Sequence, residues 1–140
     1  MSKTLLLSNH PIKVFIADDS IIVREHLVIM LDELSGVEMV GQAEDVAEAV
    51  SAIQNLQPDV VILDIRMPGG SGIDVLQNIK QDGAGPVVIM LTNYPFAGYR
   101  KKCLQAGADF FLDKSTEFDQ IPKLFERLKQ HPRFDQAQPD

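Results

Sequence analysis

Five short apolar runs, alternating with stretches of helical period, set the limits on how this chain can fold. The runs lie at 12–17, 37–43, 60–63, 86–91 and 109–112. Between them, apolar residues recur every three or four positions. Val23, Leu27, Met30, Leu31 and Leu34 form one such stripe, and Val46, Val50, Ile53 and Leu56 a second. Val75, Leu76 and Ile79 form a third. Strand-sized runs alternating with helical periods mean βαβ units, hence a parallel sheet with helices on both faces. The run Val60-Val61-Ile62-Leu63 is apolar at every position, which suits a strand buried on both faces. The run at 37–43 is less apolar and reads as a strand near the sheet edge.

Local signals place the helix ends. Ser20 caps the first helix and Gly36 closes it. Asp45 and Glu48 have the form of a capping box for the second, which Pro58 ends. Ser71 to Asp74 cap the third, and Gly83-Ala84-Gly85 breaks it. Pro95 suits the first turn of a fourth helix running to about Ala106 and stopping at Gly107. A turn at 116–118 and a last helix from about 119 to 130 follow, with Pro122 in the first turn if Asp119 is the cap.

At 140 residues this reads as one domain over 12–130, with tails at 1–11 and 131–140. Ten residues after the last helix cannot form an output domain. A net charge of -7 argues against nucleic acid as a direct partner, which would need a basic face. The single cysteine, Cys103, supports neither an internal disulfide nor a metal cluster. No apolar run reaches the length of a membrane span, and Leu5-Leu6-Leu7 is too short for a signal-peptide core. A cytoplasmic setting is expected.

Each strand end but the second carries a polar group: Asp18-Asp19, Asp64, Thr92 and Lys114. Parallel strands bring these to one edge of the sheet, where open α/β sheets bind their ligands. Three crowded carboxylates raise one another's pKa, and a hard divalent cation such as Mg²⁺ resolves the repulsion. A carboxylate can also act as a nucleophile and form an aspartyl phosphate. A lysine and the cation would then neutralise the phosphoryl oxygens, with a threonine hydroxyl adding one hydrogen bond.

From about residue 12 to 130 the sequence resembles the receiver domain of two-component response regulators, of the stand-alone, chemotaxis-regulator-like kind. The resemblance rests on Phe15-Ile16-Ala17-Asp18-Asp19-Ser20, on Val61 to Gly72 (VILDIRMPGGSG), on Leu91-Thr92 and on Ala106 to Lys114 (AGADFFLDK). It implies a doubly wound, flavodoxin-like (βα)5 fold with strand order 2-1-3-4-5. By the same resemblance Asp64 is the phosphoacceptor. Asp19 binds Mg²⁺ (or Mn²⁺) directly, Asp18 mainly through water, with Asp64 and the backbone carbonyl of Arg66 as further ligands. Lys114 contacts the phosphoryl group, Thr92 is the switch hydroxyl and Phe111 the switch aromatic. The implied donor is a histidine kinase or a histidine phosphotransfer protein. The implied output face is the fourth helix, fifth strand and fifth helix, and a homodimer is left open. Ser115 stands where proline usually follows the lysine, and Asn93 where a small residue usually follows the threonine. Arg66 and Tyr94 occupy the variable positions beside the site, where we expect them to hinder an in-line water.

Four other readings share parts of this pattern. One is a receiver fragment of a longer regulator, and another a phosphorylation-independent interaction scaffold. A flavodoxin-like cofactor binder would need a phosphate loop where Asp18-Asp19-Ser20 stands. A phosphomonoester hydrolase would want a second acid where Arg66 stands.

Overall fold

The computed structural model describes residues 10–80, 85–131 and 133–134. Most of the two expected tails, and the Gly83-Ala84 helix break, lie outside the described residues.

Five strands form one parallel sheet: β1 (Ile12–Ala17), β2 (Val37–Ala43), β3 (Val60–Leu63), β4 (Val87–Thr92) and β5 (Phe110–Asp113). Their order across the sheet is β2-β1-β3-β4-β5, the doubly wound arrangement expected from the sequence. Five α-helices follow the strands: α1 (Ile21–Asp32), α2 (Val46–Leu56), α3 (Gly72–Ile79), α4 (Ala97–Gln105) and α5 (Ile121–Lys129).

Alternation along the strands splits the core into two layers. Val14, Ile16, Ile62, Ile89 and Leu91 face α1 and α5, meeting Leu27, Leu31, Phe125 and Leu128. Phe15, Ala17, Val61, Leu63, Val88 and Met90 face the other way, onto Ala49, Ile53, Val75, Leu76 and Cys103. Every residue of β3 and β4 is buried, whereas β2, at the edge, is mostly half-buried. Each such aliphatic side chain taken from water contributes about 1.5–3 kcal/mol, so the central strands carry much of the stability.

The caps fall largely where the sequence puts them, except that α1 ends at Asp32 with Glu33 as its C-cap, so Gly36 turns the chain toward β2 rather than closing the helix. Ser20 Oγ accepts the Val23 N–H at 3.3 Å, and Asp45 Oδ1 accepts the Glu48 N–H at 2.8 Å. Glu48 returns its carboxylate to the Glu44 N–H rather than to Asp45, so that box is shifted by one residue. Ser71 and Asp74 make a complete box. Gly107, at φ 109°, closes α4 with paired bonds from Gly107 N to Leu104 O and from Ala108 N to Cys103 O.

Some boundaries differ. Pro95 lies before α4, not in its first turn, because Phe96 is still extended (φ -72°, ψ 146°) and the helix begins at Ala97. Asp119 does not cap the last helix. A 3₁₀ turn, Phe118–Gln120, runs straight into α5 and leads its first backbone groups in without a side-chain cap. Pro122 still falls in the first turn, where its missing N–H costs nothing. β5 starts at Phe110, because the Asp109 side chain turns back to accept the Val88 N–H. The segment after Asp64 contains a two-residue antiparallel pairing, Arg66–Met67 with Gly70–Ser71, where the sequence suggests only loop. Past 130, Phe134 is buried against the α1/α5 layer, so core packing continues beyond the expected boundary.

Candidate functional site

Main-chain register assembles the site. Ala17 pairs with Leu63 across β1 and β3, and the ladder continues one step with Asp64 N donating to Ala17 O at 3.0 Å. On the other side, Thr92 pairs with Asp113, and Lys114 N donates to Thr92 O at 2.8 Å. Thus Asp18, Asp64 and Lys114 each leave their strand at its carboxyl end, beside one another.

The side chains converge. Lys114 Nζ lies 2.8 Å from Asp18 Oδ2 and 3.0 Å from Asp64 Oδ2. Carboxylate oxygens of Asp18, Asp19 and Asp64 all lie within 4.8 Å of one another. Asp18 and Asp64 are buried, while Asp19 is exposed at the rim. The donors are all hard oxygens, two walled in and one open to solvent. That set fits a hard divalent cation that keeps some of its waters, and the three aspartates could hold one.

Electrostatics favour that reading. Burial pushes the Asp64 carboxyl above its usual 3.8; Lys114 pulls it down and the Asp18 charge pushes it up again. Burial also works against the Lys114 ammonium. Its hydrogen bond to Asp18 and the charges of Asp64 and Asp18 outweigh this and hold it above the usual 10.5. One lysine therefore serves two buried acids, with Asp19 beside them, and burial makes the charged form of Asp64 less favourable than in water.

The flanking residues are placed less directly. Thr92 is fully buried on the strand neighbouring Asp64, and its Oγ1 accepts the Tyr94 N–H at 3.0 Å. Phe111 is buried in the α2/α3/α4 layer, with the Arg100 guanidinium 5.6 Å from its ring centre. Asn93 is exposed. The Arg66 guanidinium lies 4.3 Å from the Tyr94 ring centre, which spans the gap between the loops after β3 and β4. Beside the acids is a cavity of about 410 Å³ lined by Asp19, Arg66, Met67, Pro68 and Tyr99, among others.

Two supporting features escape the sequence reading. Arg24 Nη1 donates to the Asp18 carbonyl at 2.7 Å, and its Nε donates to Gln42 Oε1 at 3.1 Å. An arginine just over one helical turn beyond an acid pair was the available signal, masked by its place on a polar helix face. The loop carrying Lys114 is held by Asp113. Its Oδ1 accepts both the N–H and the hydroxyl of Ser115, at 2.9 and 2.7 Å. Glu117 Oε1 accepts the Asp113 N–H at 2.8 Å. Ser115 thus makes a hydroxyl contact that a proline at this position could not make.

Comparison with known proteins gives a consistent picture. The family model described as response regulator receiver domain matches residues 14–126. The uncharacterized transcriptional regulatory protein YvfU of Bacillus subtilis is 37% identical over 110 residues, which is 79% of this chain and 55% of that protein. Transcriptional regulatory protein BtsR of Salmonella typhi is 35% identical over 119 residues, 85% of this chain and 48% of that one. The chain therefore spans about half the length of these curated relatives. Among solved structures, the response regulator domain of Thermotoga maritima CheB superposes with TM-score 0.75 at 34% identity, covering 86% of this chain and 95% of that one. The receiver domain of the putative response regulator NarL from Mycobacterium tuberculosis gives 0.78 at 30%, covering 86% and 98%.

Proposed function

Because the chain belongs to the response regulator receiver family, we propose that it is a phosphorylation-activated switch that accepts a phosphoryl group on Asp64. The observation that carries this reading is the Lys114 ammonium set between the buried carboxylates of Asp18 and Asp64. A lysine there neutralises charge that arrives at Asp64.

The donor is a phosphohistidine on a sensor kinase or phosphotransfer protein. An Asp64 oxygen attacks phosphorus, and the new O–P bond forms as the P–N bond breaks. The electron pair of that bond stays on the imidazole nitrogen of the donor. Lys114 then gives N–H bonds to the phosphoryl oxygens, and the Thr92 hydroxyl donates a further one. Asp19, Asp18, Asp64 and the Arg66 carbonyl would hold Mg²⁺ (or Mn²⁺), which would supply charge neutralisation at those oxygens.

Movement of Thr92 toward the new group biases an existing equilibrium, with Phe111 following, and reshapes the face of α4, β5 and α5 that a downstream protein reads. Phe111 is buried in the layer beneath α4, beside the strand that carries this change. The role is signalling rather than turnover, with slow self-dephosphorylation resetting the switch. Among the described residues no helix is long and apolar enough to cross a membrane, and a cytoplasmic site of action suits the phosphohistidine donor.

The test is to incubate the protein with acetyl phosphate and Mg²⁺ and weigh it. The parent should gain one phosphoryl mass and Asp64→Asn none. No adduct on the parent, or an equal adduct on the variant, ends the reading.

A further inference from the structure

Asp18 has all its polar groups engaged. Its N–H donates to Ala43 O at 3.0 Å. Oδ1 accepts the Ser20 N–H at 2.9 Å, and Oδ2 accepts Lys114 at 2.8 Å. Its carbonyl accepts Arg24 Nη1 at 2.7 Å, the one bond of the four that comes from α1's side-chain surface. Asp19 follows across that same peptide unit, which is planar and stiff. Fixing the carbonyl therefore fixes the peptide plane from which Asp19 starts and removes one of the rotations that could carry it away from the other acids.

We propose that Arg24 is a positioning residue for the acid cluster: braced on Gln42 of edge strand β2, it grips the Asp18 carbonyl and aims Asp19 at the cation position. The inference rests on the proposed function, since it takes the three aspartates as a cation site. Its support is geometric. Arg24 makes two bonds with one rigid fork, to two different elements, from a half-buried place on α1. A lysine has neither the fork nor the second donor in a fixed plane. Asp19, by contrast, is the exposed member of the three and has most freedom to lose.

A rival account is that Arg24 acts only through its charge. The two accounts differ in sign. A guanidinium near the acids repels a cation, so a charge-only role makes Arg24→Ala bind the cation more tightly and leaves Arg24→Lys unchanged. A positioning role weakens binding in both.

The measurement is Mn²⁺ binding to the whole chain, followed by loss of the free-ion paramagnetic resonance signal. We expect about ten-fold weaker binding for Arg24→Ala and several-fold weaker for Arg24→Lys, the usual scale when a group that holds a metal ligand is removed. Gln42→Ala removes only the brace and should weaken binding about two- to three-fold, well below the roughly ten- to hundred-fold that follows outright loss of a group holding a metal ligand. It decides the matter if Arg24→Ala folds too poorly to measure. Equal or tighter binding in the variants overturns the inference alone. A parent chain that binds no Mn²⁺ overturns the proposed function and this inference together.

Discussion

The guanidinium of Arg66 rests 4.3 Å from the centre of the Tyr94 ring, and this stack joins the loop after Asp64 to the loop after Thr92. Both residues stand two positions beyond a site residue. We propose that the stack covers the approach that a water attacking in line with the Asp64 oxygen would take. An exposed pair of this kind is worth about 0.5–1 kcal/mol.

Loss of the stack should therefore shorten the life of the phosphorylated form. Replacing Arg66 and Tyr94 together by alanine is expected to speed dephosphorylation about three- to five-fold, the rate equivalent of roughly 1 kcal/mol. Release of inorganic phosphate from pre-phosphorylated protein measures it. Equal rates in parent and variant would remove the stack from the mechanism.

Asp64 stands ionised in the fold only at a cost, since burial raises its carboxyl above 3.8. A carboxyl raised on folding stabilises the native state below its unfolded value and loses that contribution as pH climbs through the folded value. Asp64→Asn should therefore melt higher than the cation-free parent near neutral pH. The gap should close as pH falls toward the ordinary carboxylate range. Paired melts without divalent cation test both parts. A variant no more stable near neutrality contradicts the account.

Removing the counter-charge should act in the opposite direction. Lys114→Met leaves Asp18 and Asp64, both buried, without their cation. Breaking a buried pair from one side costs about 3–5 kcal/mol, so even partial relief by solvent leaves a large loss of stability. Urea unfolding at neutral pH reads this, and a change below about 0.5 kcal/mol would place the pair with ordinary surface pairs.

Gly72 has no room for a side chain, because an added Cβ would collide with the Asp64 carbonyl oxygen and its carbon. The obstruction is backbone, which cannot swing aside as a side-chain tip can. Gly72→Ala should lower stability by more than about 2 kcal/mol and slow phosphorylation by displacing Asp64. Normal stability with normal phosphorylation would show that the β3–α3 connection yields freely.

Cys103 is fully buried, and burial pushes its thiol up to about 11. Iodoacetamide near pH 8 should leave it unmodified in the folded chain and alkylate it promptly in denaturant. Mass spectrometry before and after unfolding distinguishes the two.

The sequence reading reached furthest where one residue decides the local structure. Ser20, Asp45 and Ser71 each cap the helix they precede, because a short oxygen side chain before an apolar stripe has little else to do. The acids and Lys114 were legible because each ends an apolar run, and parallel pairing then fixes their meeting. Contacts that depend on where a long side chain goes were not legible. Arg24 looks like any polar helix residue until its reach to Asp18 is seen. Phe134 looks like tail because it sits among polar residues, and its burial shows only in its membership of the core layer that holds Ile12, Leu124 and Leu128. The pairing of Arg66 with Ser71 was hidden by two glycines, which permit a loop as readily as a tight turn.

Of the five helices, α4 is the one anchored by a single fully buried side chain, that of Cys103, and its first turn has no side-chain cap. It directly follows the loop that carries Tyr94 and Phe96 away from Thr92. An element held by so little buried surface can slide or reorient at small cost while the sheet beneath it stays rigid. The fold is therefore unevenly stiff, with its most compliant member beside its most tightly wedged hydroxyl. A local tug of one bond length at Thr92 has an outlet there, and the two core layers need not deform to transmit it.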